Sequence, residues 1–463
     1  MFKLPSFSVS IKRILRNFAA NIVGQLMNGI YQIVSIPLFL HYWSKQGYGE
    51  WLVLFSIPSI LWSLEGGLSG VAANRMTVAS ASGNWELVNS LFQNVFLTQG
   101  ILSVGIITAT GTLVSTLNFQ QYFHFTRISS SDTSAILMLL ICYMLTGFYI
   151  SLFRAGYRAA EMEHRGVMAN NFWKLSDFCI SVCVLACHGS ALFLAKALLF
   201  GALTWTILLY FDVKRICPRI EFGVRRASWA QSKSIMIDGM PLLAGQAAMA
   251  FFLQGYPLII NRALGASAVV TFVSVRTVSR SVLLLNQVVC LSSSPEVSRS
   301  YGRKDWPTYL RLLKIMLVSA FFAGIVTLIG LTSLGPWLIN LWTSGKVTIG
   351  HSALFLFSIS IALQGLYGVG SLVLVCSNMH HLYNYLYLVV TLAALTVADF
   401  VIPIFGFIGI PGTMVVQDLT LTFLIFFLCK SKLTHISMKD LSSIFRSDFY
   451  WGKMQALFNR AEF

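Results

Sequence analysis

Long apolar stretches alternate with short polar segments through most of the chain, and the polar segments are mainly basic. Each stretch is about as long as a bilayer-spanning helix, roughly 20 residues. The pattern predicts spans at about Phe18 to Tyr42, Trp51 to Ala73, Leu91 to Leu113, Ser134 to Phe153, Val167 to Cys187 and Ala191 to Phe211. A second set follows at about Ile235 to Asn261, Ser267 to Cys290, Leu312 to Leu334, His351 to Cys376, Tyr383 to Pro403 and Phe407 to Cys429. Only His188-Gly189-Ser190 joins the fifth to the sixth, which forces an antiparallel hairpin. The expected fold is an all-α integral membrane protein, with about 12 transmembrane helices in two six-helix lobes around a central cavity.

The polar intervals set the expected domains. Residues 1–16 form a basic cytoplasmic N-terminus, 17–212 the first lobe and 213–234 a basic cytoplasmic linker; 235–430 form the second lobe and 431–463 a cytoplasmic tail suited to the membrane surface. Lys45, Arg127, Arg262 and Lys346 are the basic residues expected in outer loops, while the remaining loop lysines and arginines fall on the inner side. That asymmetry predicts a multi-pass protein of the bacterial inner membrane with both termini cytoplasmic. The N-terminus carries no small-residue cleavage site, so no removable signal peptide is expected.

Composition agrees. Charged residues make up 11% of the chain, against about 25% in ordinary soluble domains. The hydrophobic share is 56% and the mean hydropathy +0.72, more than one soluble core could absorb. The net charge of +16 reads as retained cytoplasmic loops and not as a nucleic-acid surface. The eight cysteines show no paired spacing in outer loops, so no disulfide framework is expected.

Charges inside the spans carry the functional question. Arg276 and Arg280 are four residues apart on the eighth span, hence on one face, with no acid in that span. Each costs about 3 kcal/mol at a bilayer centre, so both should face protein or water and meet an anion, either a neighbouring carboxylate or a substrate. Glu65, beside two glycines, is a proton site or the partner of a basic residue. Lys174 and Asp177 are three apart and expected to neutralise each other. Asp399 and Asp418 are isolated acids in the last two spans, suited to carrying protons or pairing with the arginines. Arg154 and Arg158 share a face at an inner helix end, where they gather anionic lipid heads or simply follow the positive-inside rule. Cys179, Cys183 and Cys187 share one face but read as small packing residues. No nucleophile elbow, phosphate-binding glycine loop or zinc signature is present.

An internal repeat is visible as Gly24-Gln25 ahead of Pro37 and Gly245-Gln246 ahead of Pro257. The run Gly47-Tyr48-Gly49-Glu50-Trp51, then Glu65-Gly66-Gly67-Leu68-Ser69-Gly70 and Asn74-Arg75, resembles the Wzx-type polysaccharide flippases. These belong to the multidrug/oligosaccharidyl-lipid/polysaccharide (MOP) transporter superfamily. Leu264-Gly265, Arg276 and Ser294-Pro295 extend the likeness, whereas Glu65 stands where that family more often has aspartate. The resemblance implies a transporter, not an enzyme. Its cargo would be an undecaprenyl-pyrophosphate-linked oligosaccharide, such as an O-antigen unit of lipopolysaccharide, flipped by alternating access. The expected substrate-binding residues are Arg276, Arg280, Arg75, Arg154 and Arg158, and the expected coupling residues are Glu65, Asp399 and Asp418. No cofactor is expected beyond coupling H+ or Na+. Expected partners are the lipid-linked oligosaccharide, membrane lipids, a polysaccharide polymerase and a chain-length regulator, with no nucleic acid. The alternatives are a cation-coupled multidrug exporter of the same superfamily and, from another class, a membrane polymerase or ligase.

Overall fold

The computed structural model describes residues 6–432 apart from residue 378, and so leaves the expected tail beyond residue 432 outside the described residues. The first half of the chain forms α1 (Ser6–Tyr42), α2 (Lys45–Ala81), α3 (Trp85–Thr116), the short α4 (Phe119–Tyr122), α5 (Ser130–Ala159), α6 (Glu163–Ala186) and α7 (Ala191–Ile216). The second half forms α8 (Trp229–Leu264), α9 (Ala266–Arg303), α10 (Trp306–Trp342), α11 (His351–Cys376), α12 (His381–Phe405) and α13 (Gly409–Lys432). Among the described residues, nine segments are long and apolar enough to cross a membrane, with α12 and α13 counted as one. α2 and α6 fall outside that set.

Local chemistry sets the boundaries. The side chains of Ser44, Ser129 and Ser190 cap α2, α5 and α7 by accepting from backbone N–H groups of the first turn. The outer loop expected over Trp43 to Glu50 is therefore mostly helix, because the Ser44 cap starts α2 at Lys45. Gly265, at φ +84°, breaks what would otherwise run as one helix from α8 into α9.

The linker expected over 213–234 is also shorter, since α7 continues to Ile216 and α8 begins at Trp229. Its backbone is held by amides on α3. Asn89 donates to the Arg219 carbonyl and accepts from the Glu221 N–H, both at 3.0 Å. Gln93 donates to the Glu221 carbonyl (3.1 Å) and accepts from the Arg226 N–H (2.7 Å). Asn94 accepts from the Ser228 N–H at 2.8 Å. The connection thus lies strapped to the first half up to the residue before α8. Cys217 is buried at its start, and burial pushes the thiol up to about 11.

Helices α1–α7 pack mainly on one another, as do α8–α13, and the two groups meet chiefly where α2 lies along α8 and reaches α9. The helices have one set of ends on the face that carries the linker and the other on a far face, where α1 ends and α2 begins. The same lock recurs in each half. A Cβ on Gly24 would stand 2.5 Å from Asn171 Oδ1, and Asn171 donates to the Ala20 carbonyl at 2.9 Å. A Cβ on Gly245 would stand 2.9 Å from Asn384, which donates to the Pro241 carbonyl at 3.0 Å. α1 is thereby keyed to α6 as α8 is to α12, so the repeat seen in the sequence is also a repeat of packing.

Candidate translocation cleft

The far face is closed across the two halves. Gln46 accepts from the Ser267 hydroxyl at 2.9 Å, and Asn261 donates to the Phe123 carbonyl at 2.8 Å. Gly49 is pressed so closely onto α9 that a Cβ there would lie 2.0 Å from the Ala266 carbonyl oxygen. Glu50, fully buried, accepts the backbone N–H groups of Thr126, Arg127 and Ile128 at 2.8 to 3.1 Å. That carboxylate ties the loop before α5 to α2, a backbone anion nest. Tyr48 stacks on Phe39 with ring centroids 4.9 Å apart. The glycine-aromatic-acid run noted in the sequence is thus the material of this closure.

α1 joins the second half near the same face. The Trp342 indole N–H donates to the Ile33 carbonyl at 2.9 Å, and the Lys346 ammonium donates to the Leu40 carbonyl. Pro37 has no N–H to give Ile33, so Trp342 supplies the bond that the proline removes. Elsewhere α1 touches α9 at few places, and the region between these two helices is the candidate cleft.

Arg276 answers to another proline. Its guanidinium donates to the carbonyl of Leu253, the acceptor that Pro257 leaves without a helical donor, and lies 5.1 Å above the Phe272 ring. Arg280, one turn on, has no hydrogen bond or ion pair among the described residues. The two arginines share a face as the spacing predicts, but among the described residues only the first is hydrogen-bonded by the protein.

The acids fall into separate places. Asp418 on α13 is fully buried, accepts from Ser360 (2.5 Å) and Gln364 (3.2 Å), and keeps Oδ1 without a partner. Asp399, expected to be isolated, pairs with Arg262 at 3.3 Å near the far face. Arg75 pairs with Asp238 and reaches Ser234 at 3.5 Å, on the linker side of the α2–α8 contact. Arg158 stands 3.9 Å from Glu163, and Arg154 is exposed with no partner among the described residues. Glu65 lies on α2, with its side chain outside the described residues.

Lys174 and Asp177 do not neutralise each other, contrary to their spacing. Lys174 donates to Asn28 on α1 at 3.0 Å, while Asp177 accepts from the Tyr143 hydroxyl at 2.6 Å and keeps Oδ1 buried without a partner. Each side chain has a closer partner on a neighbouring helix than on its own. The half-buried Asp177 site, beside the paired rings of Trp62 and Trp173, was missed because Tyr143 sits in an unremarkable apolar run. Its signal is tertiary.

No protein-family model matches this chain, and no curated protein does. Solved structures do. The inward-facing conformation of a multidrug resistance MATE family transporter of the MOP superfamily matches with TM-score 0.72 at 14% identity, covering 89% of this chain and 94% of that one. An outward-facing conformation of a multidrug resistance MATE family transporter of that superfamily matches with TM-score 0.63 at 14% identity, over 92% and 96%. The lipid II flippase MurJ, in an inward closed conformation, matches with TM-score 0.63 at 14% identity, over 96% of each chain. At such identity the likeness establishes the fold, which is that of these MOP transporters.

Proposed function

We propose that the protein flips an undecaprenyl-pyrophosphate-linked oligosaccharide across the bacterial inner membrane by alternating access, with its termini and linker in the cytoplasm. The observation that supports this reading is a set of cations on helices of both halves. Arg154 and Lys174 have no carboxylate partner among the described residues, and Arg280, though in the field of the buried Asp418, makes no ion pair with it. A cation within the membrane that no carboxylate pairs is costly unless an anion visits it. A pyrophosphate suits them, because a guanidinium meets its oxygens with two parallel bonds. Closure at the far face then corresponds to a state open to the cytoplasm. Asp177 and Asp418, each with one unpartnered buried oxygen, are the best placed residues for H+ or Na+ coupling, with Glu65 as a further candidate. A polymerase and a chain-length regulator remain the proposed partners.

Those same acids favour a second reading, a cation-coupled multidrug exporter. The two readings separate experimentally. Surface polysaccharide and efflux of a lipophilic cationic dye should be measured per folded molecule for Arg280→Ala, Lys174→Ala and Asp418→Asn. Loss of a charge-assisted bond to a phosphate should cost about tenfold in apparent cargo affinity for either cation variant. Dye efflux lost with polysaccharide intact would overturn the flippase reading. Glu65→Gln should abolish export at normal abundance if Glu65 carries the coupling proton.

A further inference from the structure

A separate cavity of about 450 Å³ opens on the linker face, between the ends of α2 and α3 and the start of α8. Its lining combines the polar Asn74, Arg75 and Gln231 with the apolar Val78, Leu87 and Leu91. None of its lining residues is acidic.

The polar lining presents donors. Gln231 uses its carbonyl oxygen to accept from Ser90 (2.6 Å) and Asn94 (2.7 Å), both on α3. That fixes the amide orientation, so its NH2 group points away from α3 with no partner among the described residues. Asn74 is exposed, and its amide is likewise uncommitted among the described residues. Arg75 gives two of its nitrogens to Asp238 and Ser234 and retains further N–H groups. Gln231 is also the third residue of α8, whose N-cap Ser228 makes no side-chain cap bond. The first backbone N–H groups of that long helix therefore add a positive end to the same corner.

Two free amides, the remaining N–H groups of a guanidinium already paired with Asp238, and an uncapped helix end beside apolar side chains suit one kind of ligand: an anionic phosphate carrying a hydrocarbon chain. We propose that this cavity is a binding site for a phosphate-bearing lipid headgroup at the cytoplasmic leaflet, outside the central cleft. Val78, 72% exposed, and Leu87, 39% exposed, lie where the first methylenes of the chain would run. A phospholipid and a polyprenyl pyrophosphate share this chemistry. In the first case the site holds a resident lipid against the α2–α8 contact. In the second it is a stop at which cargo waits before the cleft. The site does not depend on the cargo reading, since Arg280→Ala should leave it intact.

The test is native mass spectrometry of the full-length protein in a neutral detergent. It is titrated separately with farnesyl pyrophosphate, dioleoylphosphatidylglycerol and the uncharged dioleoylglycerol. The variant is Asn74→Asp/Gln231→Glu. Glutamate keeps the oxygen that accepts from Ser90 and Asn94, and Asn74 is exposed, so folding should survive; unfolding temperature checks this. The wild type should bind at least one phosphate lipid about tenfold more tightly than dioleoylglycerol, and the double variant should erase that preference. Preference for farnesyl pyrophosphate alone identifies the waiting stop, and preference for phosphatidylglycerol alone identifies the resident lipid. No preference, or a preference unchanged in the double variant or in Asn74→Asp alone, overturns the site.

Discussion

Arg276 offers the sharpest test of how charge is used in this membrane protein. Its guanidinium serves the Leu253 carbonyl that Pro257 leaves open, and it covers the Phe272 ring at 5.1 Å. Arg276→Ala leaves that carbonyl without a donor, at a cost of about 1–3 kcal/mol. The lost ring contact adds about 0.5–2 kcal/mol. Pro257→Ala restores the helical N–H and makes the arginine redundant at that oxygen. The double variant should therefore be more stable than the sum of the single losses implies, by about 1–2 kcal/mol of coupling. Unfolding of all four proteins in the same detergent, followed by tryptophan fluorescence and a denaturant titration, gives the cycle. Arg276→Lys should lie between wild type and alanine, because an ammonium reaches the oxygen but lacks the planar face. Strict additivity would refute the brace. So would an Arg276→Ala protein of wild-type stability whose export per folded molecule is lost, since that pattern belongs to a residue holding cargo.

Other expectations follow from the closure and the linker. Gly49→Ala places a methyl group against the Ala266 carbonyl, so thiol reagents applied from the far face should label an introduced cysteine at Ser267 several-fold faster; unchanged labelling would contradict the close approach. Cys217, with its thiol pushed up to about 11 by burial, is almost wholly protonated at pH 8 and should resist alkylation until the protein is unfolded, whereas prompt reaction would show that the linker is not strapped down. Thiols introduced at Ser129 and Arg225 should label from opposite sides of the membrane, Arg225 from the cytoplasm. External labelling of Arg225 would reverse the proposed orientation. Ser232 is unsuitable for that purpose, being buried against Asn94 at 2.9 Å.

Much of the architecture was legible because membrane helices are written in long apolar runs, and their order along the chain is the order of the helices found. The boundaries at Ser44 and Trp229 were less so, since a cap and a strapped linker depend on a few hydrogen bonds. The repeat showed as Gly24 and Gly245, yet their purpose emerged only with Asn171 and Asn384 packed against them. Charges were located well and partnered poorly. Spacing alone paired Lys174 with Asp177, but nothing in it marked Asn28 or Tyr143 as the stronger claims. The same blindness hid the link between Arg276 and a proline on the preceding helix.

The two proline-opened carbonyls end in unequal hands. Leu253 is answered from within its own half, by Arg276 on the next helix, so nothing in the relative movement of the halves need disturb it. Ile33 is answered by Trp342 from the opposite half. In the proposed alternating-access cycle, parting of the far face would take that donor away, and the carbonyl would have to find water or a changed backbone. One kink would then stay as permanent masonry while its counterpart served as a joint whose bonding follows which way the molecule faces. In a variant that keeps Trp342 and replaces the other tryptophans, the indole N–H signal would read that direction without a label on either lobe.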